Sequence, residues 1–187
     1  MPPACAAPLP FNERFAMAIR SILTYPDPFL KQSTLPVTDF GQALQDLIQD
    51  MVDTMYEAPG VGLAANQIGE PLSLIVYDPD ADPEKRAFRV LANPRLLESE
   101  GSAVSENEGC LSVPDFRANV NRFTRIRVEG QNEKGEPLTL DLEGFEAVIV
   151  QHEMDHLAGI LFIDRISPLK RSLYAKRVAK QIRREMA

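Results

Sequence analysis

The chain has 187 residues, 44% hydrophobic and 25% charged, with a net charge of −7. That length fits one domain with a real core, the composition is that of an ordinary globular fold, and the acidic balance argues against a general nucleic-acid binder, so no DNA partner is expected. Two cysteines, Cys5 and Cys110, are too few for a disulfide framework, no run reaches membrane-span length, and the start, MPPACAAPLPFNERF, lacks the basic and apolar regions of a secretory signal; no membrane partner is expected and the cytoplasm is the expected location.

Residues 1–12 are rich in Pro and Ala and lack periodicity, so a flexible N-terminal tail is expected there, with 13–187 as a single domain. LTYPDPFL (23–30) reads as extended or turning, because its prolines forbid regular helix. Phe40, Leu44, Leu47, Ile48, Met51, Val52 and Met55 then recur at helical spacing, with Thr38 or Asp39 as N-cap and Pro59-Gly60 as the stop. GVGLAANQIG (60–69) reads as a loop, LSLIVYD (72–78) and FRVLANP (88–94) as strands, and EGCLSVP (108–114) as a second loop. TRIRVEG (124–130) and PLTLDLEG (137–144) alternate apolar and polar residues around NEKG, which predicts a hairpin. The next helix carries Phe145, Val148, Ile149, His152 and His156 on one stripe, predicted to face the core. From about Pro168 a basic helix follows, predicted to pack through Leu173, Val178 and Ile182.

The segment QHEMDHL (151–157) holds both histidines of the chain. Four residues apart on a helix, His152 and His156 lie one turn apart on the same face and can reach one ion. Glu153 sits about 100° round from His152, near enough to touch a water on that ion. Two imidazoles holding a Lewis acid, with a carboxylate to take a proton from its water, is the chemistry of HExxH. The pattern fixes only three positions and also arises by chance, so the helix alone leaves the question open. Asp155 reads as a solvated surface residue. With that helix at the centre, the expected fold class is α+β: short antiparallel strands and hairpins packed around a central, metal-bearing HExxH helix, with a long first helix and a C-terminal helix.

A third ligand is not evident downstream, where LAGILFIDRISPLKR offers no histidine and only Asp164 as a close acid. Upstream stands Cys110 beside Gly109. It reads either as a small buried hydrophobe or as the thiolate of a His/His/Cys set competent for zinc or iron. In GVGLAANQIG, Gly60 and Gly62 let backbone pass close to a ligand. The segment is not GxGxxG, because residue 65 is Ala. Gln67 offers an amide donor for a carbonyl oxygen becoming an oxyanion; the other reading is a loop of small packing residues.

Taken together, GVGLAANQ, EGCLSVP and QHEMDHL resemble, in order and spacing, the three signature motifs of the peptide deformylases, and the resemblance runs from about Ser21 to about Lys180. It implies a catalytic domain that removes the formyl group from the N-terminal formyl-methionine of nascent polypeptides and releases formate. By the same resemblance Cys110, His152 and His156 bind the metal, Glu153 is the base, and Gln67 with the backbone N–H of Leu111 stabilises the oxyanion. Backbone at Val61, Gly62 and Gly109 pairs with the peptide in β fashion, Phe145 and Val148 line the methionine pocket, and Arg117 contacts substrate backbone. The implied ion is Fe(II), with Zn(II), Ni(II) or Co(II) able to replace it. Glu146 departs from the family's usual apolar residue and is expected to face solvent. Seven Lys or Arg in the last eighteen residues give the final helix two readings, a solvated face or a ribosome contact. Two rival functions are an HExxH metallopeptidase that cuts internal peptide bonds and a non-catalytic metal-binding protein of the same fold.

Overall fold

The helix read from residues 40–55 is α1, Gln42–Glu57. It starts after Phe40 because the Asp39 carboxylate accepts the Gly41 N–H at 2.8 Å, a local turn that leaves Gly41, not Thr38 or Asp39, at the N-cap. The computed structural model describes residues 19–185; the predicted tail at 1–12 and Cys5 lie outside the described residues. The remaining elements are β1 (Gly62–Ala64), β2 (Leu74–Tyr77), β3 (Arg89–Glu100), β4 (Ala103–Cys110), β5 (Val113–Arg122), β6 (Arg125–Gln131), β7 (Pro137–Glu143), α2 (Gly144–Leu157) and α3 (Pro168–Glu185). Single 3₁₀ turns occupy Pro28–Lys31, Ala65–Ile68 and Phe162–Asp164. Mixed helix and antiparallel strand is therefore the observed class.

Five strands form one antiparallel sheet in the order β1-β2-β3-β6-β7, and β4-β5 form a separate hairpin. The continuous apolar run of β2 is explained by what lies on its two faces. Leu74 and Val76 join the α1 core with Leu44, Met51 and Met55, while Ile75 and Tyr77 join the α2 core with Ala147, Ile149 and Val150. Successive strand residues point to opposite faces, so one four-residue strand fastens both helices to the sheet. The predicted hairpin is β6-β7, paired from Arg125↔Glu143 to Gln131↔Pro137.

Three segments differ from the sequence reading, the first being GVGLAANQIG, read as a loop but folded as β1 and the 3₁₀ turn at Ala65–Ile68. β3 runs past Pro94 to Glu100, carried by its ladder to β6 across two register shifts, although its second half is polar and exposed. EGCLSVP is not a loop: it ends β4, turns at Leu111-Ser112 and begins β5, with Cys110 paired to Val113. β4 is mostly polar and exposed, so it carries no apolar alternation to announce it.

A third core gathers Leu30, Val113, Val120, Leu161, Phe162 and Tyr174, with Cys110, Phe116 and Val178 packed against it. In α3 the buried anchor is Tyr174, one turn before Val178, which packs as expected, with Ile182 half-buried; Leu173, also predicted to pack, is 59% exposed on the neighbouring face. Among the described residues no helix is long and apolar enough to cross a membrane.

Candidate active site

Two elements meet to form the site. α2 carries His152, Glu153 and His156, and Cys110 ends β4 at the hairpin turn facing them. The ligand atoms of Cys110, His152 and His156 all lie within 4.8 Å of one another, and His156 Nε2 is 3.1 Å from Cys110 Sγ. The two imidazoles stand 5.0 Å apart at 70°. One thiolate and two imidazoles suit a divalent transition metal, which takes sulfur at about 2.3 Å and nitrogen at about 2.0–2.1 Å. Three protein donors leave a coordination position for a reactant, whereas four would close the site.

Behind the histidines lies a charged network. His152 Nδ1 is 2.8 Å from Glu108 Oε1. Burial works to raise the Glu108 pKa, but hydrogen bonds to His152 and Arg122 hold it down at about 2. The ionised carboxylate accepts from His152 Nδ1, which turns the other ring nitrogen, Nε2, away from Glu108. Arg122 donates to Glu108 through Nε at 3.1 Å and through Nη2, and to Asp155 through Nη1 at 2.6 Å. Arg165 adds two further bonds to Asp155. This corrects the sequence reading of Asp155 as solvated: it is buried, because two guanidiniums converge on it. Glu108 and Arg122 carried no expected role. A signal was present, since Ala118, Val120 and Arg122 share the inward register of β5, and a buried arginine requires carboxylates.

In front of the histidines the polar atoms are less complete. Among the described residues, buried side-chain atoms without a hydrogen-bond partner are Glu153 Oε2, His156 Nδ1 and Asn66 Oδ1. Burial pushes the Glu153 pKa up to about 7. Burial and the neighbouring His152 push His156 well below the usual imidazole range. For His152 burial works the same way, but bonding to Cys110 and Glu108 outweighs it and holds the group well above that range. Gln67 sits on the 3₁₀ turn after β1, its Oε1 accepting the Ala64 N–H at 2.8 Å. That bond points Nε2 at the cluster, where it donates to Ser112 Oγ at 3.0 Å and lies 3.7 Å from Cys110 Sγ. Gly62 is required here for a reason internal to the protein: a Cβ on it would stand 2.5 Å from Glu153 Oε1.

The cluster opens into a cleft of about 850 Å³ whose walls include Val61, Leu111, Arg117, Phe145 and Val148. The predicted substrate residues thus share one cavity with Cys110 and His152, two of the three metal-ligand candidates. Phe145 is not core, as its helical stripe suggested; at 59% exposure it stands on the rim, because it lies in the first turn of α2. The Val61 carbonyl already accepts the Asp78 N–H at 2.9 Å. Arg117 lies along the backbone of Gly109 and donates to Asn107 O at 3.2 Å. Glu146 does not face solvent freely: it pairs with Arg89 and accepts the Tyr77 hydroxyl at 3.3 Å, which ties α2 to the sheet.

Comparison with known proteins bears on the whole domain. The polypeptide deformylase family model matches residues 19–172. A peptide deformylase of Desulfosudis oleivorans is 49% identical over 167 residues, 89% of this chain and 96% of that protein. One of Desulfotalea psychrophila is 50% identical over 165 residues, covering 88% and 97%. Among solved structures, a peptide deformylase of Legionella pneumophila superposes with a TM-score of 0.83 at 43% identity, over 90% of this chain and 98% of that one.

Proposed function

The chain belongs to the peptide deformylase family, and from that premise we propose that Cys110, His152 and His156 hold one divalent metal ion at which Glu153 and Gln67 hydrolyse a formamide. The reaction is removal of the N-formyl group from nascent polypeptides. The observation that supports the residue assignment is three donor atoms within 4.8 Å of one another at a cleft that Glu153 and Gln67 also line, with one Glu153 carboxylate oxygen lacking a partner and the Gln67 amide 3.7 Å from Cys110 Sγ. The orphaned Glu153 oxygen fits a site that is completed by an ion and its water.

A divalent ion there supplies Lewis acidity to the attacking water and to the formyl carbonyl. Glu153 takes the proton of that water as its oxygen bonds to the formyl carbon; a carboxylate whose pKa is raised by burial is matched to this work. Negative charge then gathers on the formyl oxygen, where Gln67 Nε2 and the Leu111 N–H donate to it. As the C–N bond breaks, Glu153 returns its proton to the leaving amine, and formate and a free N-terminus result. The cleft beside Phe145 and Val148 receives the methionine side chain, and backbone of Val61, Gly62 and Gly109, with Arg117, aligns the peptide. Fe(II) is the expected ion, with Zn(II), Ni(II) or Co(II) as substitutes; a sulfur and two nitrogens do not choose among them. The described residues of the domain expected at 13–187 act as one catalytic unit. A nascent-chain substrate sets its place of work in the cytoplasm, and the basic face of α3, with Lys176, Arg177 and Lys180 exposed, suits contact with ribosomal RNA.

The test is formate release from a short formyl-Met peptide by the iron-loaded protein under anaerobic conditions. Formate and a free amine in equal amounts are expected. Internal cleavage without formate would favour a metallopeptidase, and bound metal with no hydrolysis a non-catalytic metal-binding protein.

A further inference from the structure

Aromatic rings connect the last helix to the site. α3 is 18 residues long, yet Tyr174 is its one buried residue among those whose side chains are described. The Tyr174 ring lies 4.7 Å from Phe116 of β5 and 5.8 Å from Tyr25. Phe116 stacks on Phe162 at 6.0 Å and 24°, and Phe162 stacks on the His152 imidazole at 6.2 Å and 28°. Four rings thus run in file from the C-terminal helix to a candidate metal ligand.

The same helix holds the backbone just beyond the Cys110 turn. The Tyr174 hydroxyl donates to Pro114 O at 3.4 Å, and Arg177 donates to Asp115 O at 3.2 Å. Asp115 has φ 56°, a left-handed conformation that a residue with a Cβ keeps only where its surroundings hold it. Tyr25, the other ring beside Tyr174, donates its N–H to Ser112 O at 2.9 Å, and the Ser112 hydroxyl receives Gln67. The Glu108 bond fixes one in-plane direction of His152 but leaves the ring free to turn about it; the face of Phe162 removes that freedom.

We propose that Tyr174 is a positioning residue for the hydrolytic site: packed against Tyr25 and Phe116, it holds Phe162 against His152 and residues 114–116 against the Cys110 turn, so that the seating of α3 sets the ligand geometry. This rests on the reading of Cys110, His152 and His156 as metal ligands. A helix that merely docks through one tyrosine predicts a stability effect and nothing at the metal.

The experiment loads the full-length protein and its Tyr174→Ala, Tyr174→Phe and Phe116→Leu variants with cobalt(II). It records the thiolate charge-transfer and d–d bands, the rate of cobalt loss to a chelator, and kcat and KM on a formyl-Met peptide. Tyr174→Ala is expected to shift the bands, to release cobalt roughly 10-fold faster, as loss of an outer-shell partner does, and to lower kcat with KM nearly constant. Tyr174→Phe keeps the ring and loses only the 3.4 Å bond to Pro114 O, so its bands, release rate and kcat are expected to stay much nearer wild type than those of Tyr174→Ala. Phe116→Leu, from the other side of the file, is expected to reproduce the altered bands and faster release, and it carries the comparison if Tyr174→Ala does not fold. Wild-type bands, release rate and kcat in either ring-removing variant, with only the melting temperature lowered, overturn the proposal. Absence of a thiolate band in the wild-type protein instead removes the metal reading beneath it, a result visible before any variant is compared.

Discussion

Behind the histidines Glu108, Arg122, Asp155 and Arg165 saturate one another, whereas in front of them Glu153 Oε2 is buried without a partner. Both regions are charged or polar, and the carboxylates Glu108, Asp155 and Glu153 are all buried, so burial does not separate them. Completeness does. A fully satisfied buried network fixes geometry, while each unsatisfied buried group costs about 1–3 kcal/mol and persists where something else completes it. The back of the site orients His152; the front waits for reactants.

That contrast can be broken from either side. Replacing Arg122 by Met strands the Glu108 carboxylate and removes one of the two guanidiniums on Asp155. The expected cost is about 3–5 kcal/mol of unfolding free energy, since one partner of a buried ion pair is lost; denaturant titration of the metal-free protein measures it. A cost below about 1 kcal/mol would mean that the network is not the rigid half. In front, Gln67→Ala removes an amide donor and is expected to lower kcat/KM by about 2.7–4 kcal/mol of transition-state stabilisation. Metal content should stay unchanged, because Gln67 is no ligand in this account. Between the two regions stands Glu108. Its change to Gln keeps shape but removes the charge that holds the Nδ1 proton, and metal affinity is expected to fall roughly 10- to 100-fold in a chelator competition. An unchanged affinity would detach the back of the site from the metal.

Much of this was legible in the sequence, for identifiable reasons. α1 and the β6-β7 hairpin declare themselves by period, and β2 does so by an apolar run buried on both faces. The four-residue spacing of His152 and His156 was enough to put them on one face of α2. Cys110 was visible as a donor, but not the hairpin that presents it, because β4 alternates nothing apolar. Asp155, Glu146 and Leu173 were misplaced, since pairing across elements decides their surroundings. Arg122 and Arg165 draw Asp155 inward, Arg89 and Tyr77 hold Glu146, and the file of rings at Tyr174 turns Leu173 outward. Local pattern sees what a residue is, not which distant strand will face it.

The central claim is that Glu153 moves protons at an ion held by other residues. Its most direct test compares formate release by wild type and Glu153→Ala at equal, measured metal content. A fall of about 10²- to 10⁴-fold is expected, the usual contribution of a positioned acid–base group, with the metal still bound through one sulfur and two nitrogens. A variant that keeps the wild-type rate, or one that loses activity only because it loses the metal, would contradict it.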